Sequence, residues 1–167
     1  MTTLIVFAGL PGVGKTTIAR KLARALGGTC YLRVDEIETA IIDGDPMLEP
    51  GPEGYRVAAA LSVSNLVLGT DVIVDSVNPL TVTRQMFTDA AQHAKAIHFG
   101  VEITCSDLVQ HKSRVEYRTS DIAGLSLPTW ERVANRSYEP WPTADLKLDS
   151  AALSPDSAVQ AILSALL

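Results

Sequence analysis

A chain of 167 residues, 47 % of them apolar, is long enough for one domain with a substantial core and too apolar to be disordered. Its net charge of −5 argues against a broad nucleic-acid surface. No apolar run is long enough to cross a bilayer, no basic leader precedes Leu4, and Cys30 and Cys105 lack metal-ligand spacing; a cytoplasmic protein with free thiols is expected.

Thr2 to Ala8 is a continuous apolar run, expected to be a buried first strand. It leads directly into Gly9-Leu10-Pro11-Gly12-Val13-Gly14-Lys15-Thr16-Thr17. The fixed positions of the Walker A (P-loop) pattern, G-x-x-x-x-G-K-[ST], fall on Gly9, Gly14, Lys15 and Thr16. A chance match in such a chain is on the order of 1 %, so a nucleotide site is expected. Glycines let the backbone curl until several N–H groups converge on one anion. A helix beginning near Lys15 adds its positive dipole end. Lys15 supplies a point charge for the β- and γ-phosphates, and the Thr16 hydroxyl is a hard ligand for magnesium (Mg²⁺). Gly9, Pro11, Gly12, Val13, Gly14, Lys15, Thr16 and Thr17 are therefore the expected ATP-binding set.

The first helix, with Ile18, Ala19, Leu22 and Leu26 on one face, should stop at Gly27 and Gly28. Its basic residues Arg20, Lys21 and Arg24 read as a solvated face. A second strand, Thr29 to Val34, delivers Asp35, which also reads as the cap of a short helix from Glu36 to about Ile42. Asp43 to Gly54, with Asp43, Asp45, Glu49 and Glu53, reads as a surface loop. A helix from about Pro52 to Leu68 follows, then a strand ending in Asp75. Next come a helix from about Leu80 to Ala94, a strand from Ala96 to Thr104 and a helix from Asp107 to Tyr117. Arg118 to Pro128 is irregular, Trp130 to Asn135 a short helix, and Leu146 to Leu148 the last strand. Ser154 and Pro155 open the final helix. This alternation predicts one α/β domain over residues 1–167, with a parallel sheet between helices. Ligands bind such sheets at the carboxyl ends of the strands, which puts Asp35 and Asp75 beside the phosphate loop.

Phosphoryl transfer to a hydroxyl needs positioning, positive charge and a carboxylate to take the acceptor's proton. Asp35 is the stronger candidate base. Asp75 ends its strand as a metal or water ligand would, or caps the turn Ser76-Val77-Asn78-Pro79; the two aspartates could exchange roles. Arg114 and Arg118, four apart on one helix, suit a lid over ATP spanning about residues 112–128. Arg56, Asn78 and Arg136 join Asp35 and Asp75 as candidate acceptor contacts, with Arg84 as a further compensating charge. Trp130 and Trp141 read as packing, and His93, His98 and His111 as structural or exposed. The acidic loop favours a neutral or cationic small-molecule acceptor over a nucleic-acid end. A non-catalytic nucleotide switch is a rival reading, but the fourth strand is followed by Cys105-Ser106-Asp107 and no Asn-Lys-x-Asp guanine signature.

Taken together, the phosphate loop, Val34-Asp35-Glu36-Ile37, Val72 to Pro79, Arg114 to Arg118 and Pro128 to Trp141 resemble the small P-loop kinases of the AAA-domain type. That group is similar to chloramphenicol phosphotransferase, zeta toxins and polynucleotide kinase. The resemblance implies a three-layer αβα P-loop NTPase fold with strand order 2-3-1-4-5. It implies an ATP-dependent phosphotransferase with an alcohol acceptor, ATP and Mg²⁺, Asp35 as base, and Lys15, Arg114 and Arg118 as catalytic residues. It leaves the acceptor and the oligomeric state open, and a AAA+ motor is disfavoured because a chain of this length lacks the second helical domain.

Overall fold

The computed structural model describes residues 1–44 and 51–167. In chain order the elements are β1 (Thr3–Ala8), α1 (Lys15–Leu26), β2 (Cys30–Arg33), α2 (Val34–Gly44), α3 (Glu53–Val67) and β3 (Val72–Asp75). They continue with α4 (Thr81–His93), β4 (Ile97–Thr104), α5 (Leu108–Tyr117), α6 (Trp130–Ala134), β5 (Leu146–Asp149) and α7 (Pro155–Ala165). Every strand pair is parallel, as the alternation of elements predicts, and the order is β2-β3-β1-β4-β5, as the resemblance implies. This is the three-layer P-loop NTPase fold.

Strand alternation divides the core. Ile5 and Phe7 of β1 join Ile73, Val101 and Ile103 beneath Ile18 and Leu22 of α1 and Val159 and Ile162 of α7. Leu4, Val6 and Ala8 point the other way, with Val72 and Val74, onto Ala58 and Leu66 of α3 and Phe87 and Ala90 of α4. Burial is worth roughly 1.5–3 kcal/mol for each large side chain, and a one-residue slip would turn β1 inside out. Register is therefore fixed, and it sets Arg33, Asp75 and Phe7 in one row across β2, β3 and β1. The phosphate loop begins two residues beyond that row.

Local signals hold elsewhere. The Asp107 side chain caps α5 by accepting from Gln110 N–H, and Ser154 caps α7 with Pro155 at its start. Trp141 packs against Gly100, where a methyl group would come within 2.6 Å of the ring, and Trp130 meets His111 edge-on at 5.1 Å. Two expectations fail. Helix α2 begins at Val34, directly on the end of β2, so Asp35 lies inside its first turn and does not cap it. The expected loop from Asp43 to Gly54 is shorter: Asp43 and Gly44 end α2, Glu53 and Gly54 begin α3, and Asp45 and Glu49 lie outside the described residues.

Arg84 is a buried clamp. Its guanidinium donates to the carbonyls of Asn78, Pro79, Glu139 and Pro140 and lies over the Tyr138 and Trp141 rings at 5.1 and 5.0 Å. It ties the turn after β3 to the segment after α6. Arg84→Met keeps the stem but leaves carbonyls unpaired, and each unpaired buried group costs roughly 1–3 kcal/mol. The expected loss is on the order of 3 kcal/mol, read as a lowered denaturant midpoint at unchanged m-value.

Candidate active site

The phosphate loop is a backbone device. Gly9 (φ +146°) passes so close to the Ile103 carbonyl that a side chain would collide with it, and its N–H donates to the Val77 carbonyl at 3.1 Å. Gly12 (φ +86°) leaves no room for a Cβ beside Val115 of α5. Buried His111 braces the loop from behind, its Nε2–H donating to the Pro11 carbonyl at 2.8 Å. Gly14 precedes α1 without any side-chain cap, and no acidic residue stands in the first turn. The first amides of α1 are thus open to an anion, with the helix dipole behind them.

Lys15 is buried and its Nζ donates to the Leu10 carbonyl at 3.0 Å. Burial pulls its pKa down to about 8, against the opposing charges of Asp75 and Asp35. It remains a cation at neutral pH, held in a place where a polyanion would restore what desolvation takes. Asp75, buried at the end of β3, accepts from the Tyr31 hydroxyl at 2.8 Å, and Arg33 Nε stands 3.9 Å from the same oxygen.

These groups line one cleft of about 1720 Å³. A single-ligand pocket is typically about 300–1,000 Å³, so the cleft has room for a nucleotide and a second molecule. Toward α5 and α7 the wall holds Arg114, Ser150, Leu153 and Pro155; toward α2 and α3 it holds Asp35, Glu38, Thr39 and Tyr55. The irregular segment after α5, Thr119 to Pro128, also lines the cleft.

The arginines separate. Arg114 donates to the Ser150 hydroxyl at 2.9 Å and to its carbonyl at 3.2 Å, at the α7 end. Arg118 has an extended backbone just past α5, so the two do not continue one helical face. Its half-buried guanidinium interacts with Asp35 and Lys15, burial pushes its pKa down, and its Nε has no hydrogen-bond partner among the described residues. Arg136 lies on the cleft wall and acts electrostatically on Lys15, Glu38 and Tyr55. Arg56 is exposed and outside the cleft; the structure does not bring it to the site. Asn78 is fully buried one residue beyond Val77 of the wall, its backbone N–H donating to the Tyr55 hydroxyl at 3.1 Å.

Three features were not read from the sequence. Glu38 shares the Asp35 face three residues on, a spacing that could have revealed it. Tyr31 and Arg33 on Asp75 depend on strand register. Asp121 accepts from Arg33 at 2.8 Å and pairs with Arg20 at 2.6 Å, tying the segment after α5 to β2 and α1; Arg20 is therefore not simply a solvated residue. Arg33, then Arg20, holds the Asp121 carboxyl at about 2. That contact is complete above the ordinary carboxylate value of 3.8 and is lost as pH falls toward 2. Because Asp121 is half-exposed, its pairs are worth about 1 kcal/mol or less. Asp121→Asn should barely change global stability while speeding amide hydrogen exchange across residues 118–128.

Residues 4–137 match the sequence pattern of the AAA domain family AAA_33. The chain belongs to this AAA domain family. It is 31 % identical over 96 residues to a Pyrococcus furiosus protein named "Putative adenylate kinase", across 50 % of this chain and 53 % of that protein. The chain thus spans about half the length of this curated relative. In three dimensions the AAA domain resembles Mycobacterium tuberculosis APS kinase, solved with AMPPNP and APS, at a TM-score of 0.75 and 20 % identity over 99 % of this chain and 97 % of the other. It also resembles a Sinorhizobium meliloti gluconokinase, at 0.66 and 18 % over 98 % and 91 %. At these identities the likeness establishes the P-loop kinase fold.

Proposed function

We propose that the protein is an ATP-dependent kinase, one domain with a lid over about residues 112–128, that transfers the γ-phosphoryl group to a hydroxyl of a small molecule. The observation that carries this reading is the placement of Lys15, Arg118 and Asp35 in one cleft with room for two ligands. The kinases named above lend support: P-loop proteins of this shape act on small acceptors.

In this reading the open amides from Gly14 to Thr17 cradle the phosphates, and Lys15 and Arg118 neutralise the transferring group, Arg118 through its unpartnered Nε. Arg114, fixed by Ser150, lines the nucleoside end. Asp35 accepts the acceptor's proton as its oxygen attacks in line. The Thr16 hydroxyl and the Asp75 carboxylate are hard donors on the cleft wall and fit Mg²⁺ brought in with the nucleotide. The described residues hold no cluster of three or more His, Cys, Asp or Glu, which suits an ion shared with phosphate oxygens. Bound there, the ion would screen the β- and γ-phosphates. Tyr31 orients the Asp75 carboxylate for that role. Arg136 on the cleft wall is the proposed acceptor contact; Asn78, fully buried and outside the cleft lining, is not brought to it.

Two measurements test the reading. ATP with Mg²⁺ should raise the melting temperature more than GTP does, and an acceptor panel should contain compounds that accelerate ADP release. GTP preference with no accelerating acceptor would favour a nucleotide switch, and efficient labelling of a 5′-hydroxyl oligonucleotide would favour a nucleic-acid-end kinase.

A further inference from the structure

Glu38 lines the cleft, and the kinase reading gives it no task. It lies three residues after Asp35 on α2, so the two side chains share a face with Cβ atoms roughly 5–6 Å apart. Gly54 of α3 lets the helices close over the Glu38 stem, since any side chain there would strike Cγ. The carboxylate lines the cleft and has no hydrogen bond or ion pair among the described residues. The groups facing it are Asp35 from its own helix, Glu53 and Tyr55 from α3, and Arg136 from the segment after α6. Of the charges acting on Glu38, two are carboxylates, Asp35 and Glu53, and one is the exposed Arg136 cation.

We propose that Glu38 selects the acceptor, and that the acceptor is an amino alcohol, such as an amino-bearing sugar or polyol, with its ammonium on Glu38 and its reacting hydroxyl on Asp35. The proposal rests on the kinase reading. The γ-phosphorus–oxygen bond to ADP breaks as the bond to the acceptor hydroxyl oxygen forms. The hydroxyl proton passes to Asp35, and the ammonium keeps its own protons. Anionic acceptors meet Asp35 and Glu38 together and are disfavoured.

Burial, then the charge of Asp35, pushes Glu38 up to about 7, with Arg136 opposing. As pH rises through about 7 the carboxyl ionises and a cation binds more tightly, so KM for an amino acceptor should fall between pH 6 and pH 8. The test uses an aliphatic amino alcohol that stays protonated in this range, its N-acetyl analogue and its phosphate ester, at saturating ATP and Mg²⁺. The wild type should prefer the amine. Glu38→Gln should lower the amine-to-acetyl ratio of kcat/KM by roughly 10–100-fold, the worth of a hydrogen bond to a charged group, and flatten the pH dependence of KM. Glu38→Asp should restore part of both, and the wild-type pH profile tests the proposal even if Glu38→Gln fails to fold. Preference for the acetylated or phosphorylated compound, or an equal loss on all acceptors in Glu38→Gln, overturns this proposal and leaves the kinase reading standing. Absence of transfer to every acceptor, with ATP bound, overturns both.

Discussion

Lys15→Met is expected to lower kcat/KM by at least 10²–10³, the usual effect of removing one preorganised charge from a transferring group. Its Nζ is buried, anchored to the Leu10 carbonyl and aligned with open helix amides, so no neighbouring cation can replace it. The pH dependence gives an independent signature. In the free protein burial lowers Lys15 to about 8, so the neutral amine gains ground above that value. A polyphosphate stabilises the cation; the ATP Kd of the wild type should therefore rise as pH climbs past 8, and that rise should be missing in Lys15→Met. Titrating ATP at pH 7 and pH 9 by calorimetry checks both statements. Unchanged turnover in Lys15→Met would remove the phosphate loop from the mechanism.

Asp35→Asn should retain ATP binding and lose transfer. A positioned general base contributes typically 10²–10⁴-fold, and the amide keeps the shape while giving up proton affinity. Arg118 and Lys15 lose an opposing charge in this variant, so nucleotide affinity should hold or improve. A split between kcat and ATP affinity separates a base from a structural carboxylate. Asp75→Asn should behave differently: Tyr31 and Arg33 already engage that carboxylate, so its loss should appear in the Mg²⁺ concentration needed for activity. If the two variants exchange these behaviours, the roles of the two aspartates are reversed.

What the sequence disclosed was local. An apolar run, a glycine pattern and an alternation of periods are written in neighbouring residues, so the parallel sheet, the phosphate loop and the Ser154 cap are legible there, while the strand order came with the resemblance. Asp35 was found because it ends a strand, although the helix starting at Val34 without a connector took away its expected capping role. Arg56 is close in sequence to Tyr55 of the cleft wall but lies on the solvent side of α3, a distinction that only the packing of the helix decides. Arg114 and Arg118 have helical spacing, yet the helix ends between them. The missed contacts are non-local: Arg33 with Asp121 spans 88 positions and His111 with Pro11 spans 100, and no periodicity encodes such pairs. Glu38 needed both kinds of information, a helical spacing from Asp35 and the knowledge that Gly54 lets α3 pack against it.

The central claim is transfer of a phosphoryl group from ATP to a small-molecule hydroxyl, and product analysis tests it most directly. The purified protein is incubated with ATP, Mg²⁺ and a panel of hydroxylated compounds, and the products are resolved by mass spectrometry with phosphorus NMR. The account predicts a phosphate monoester on an acceptor oxygen, formed one for one with ADP. ADP accompanied only by inorganic phosphate with every acceptor, or ATP left intact throughout, would contradict it.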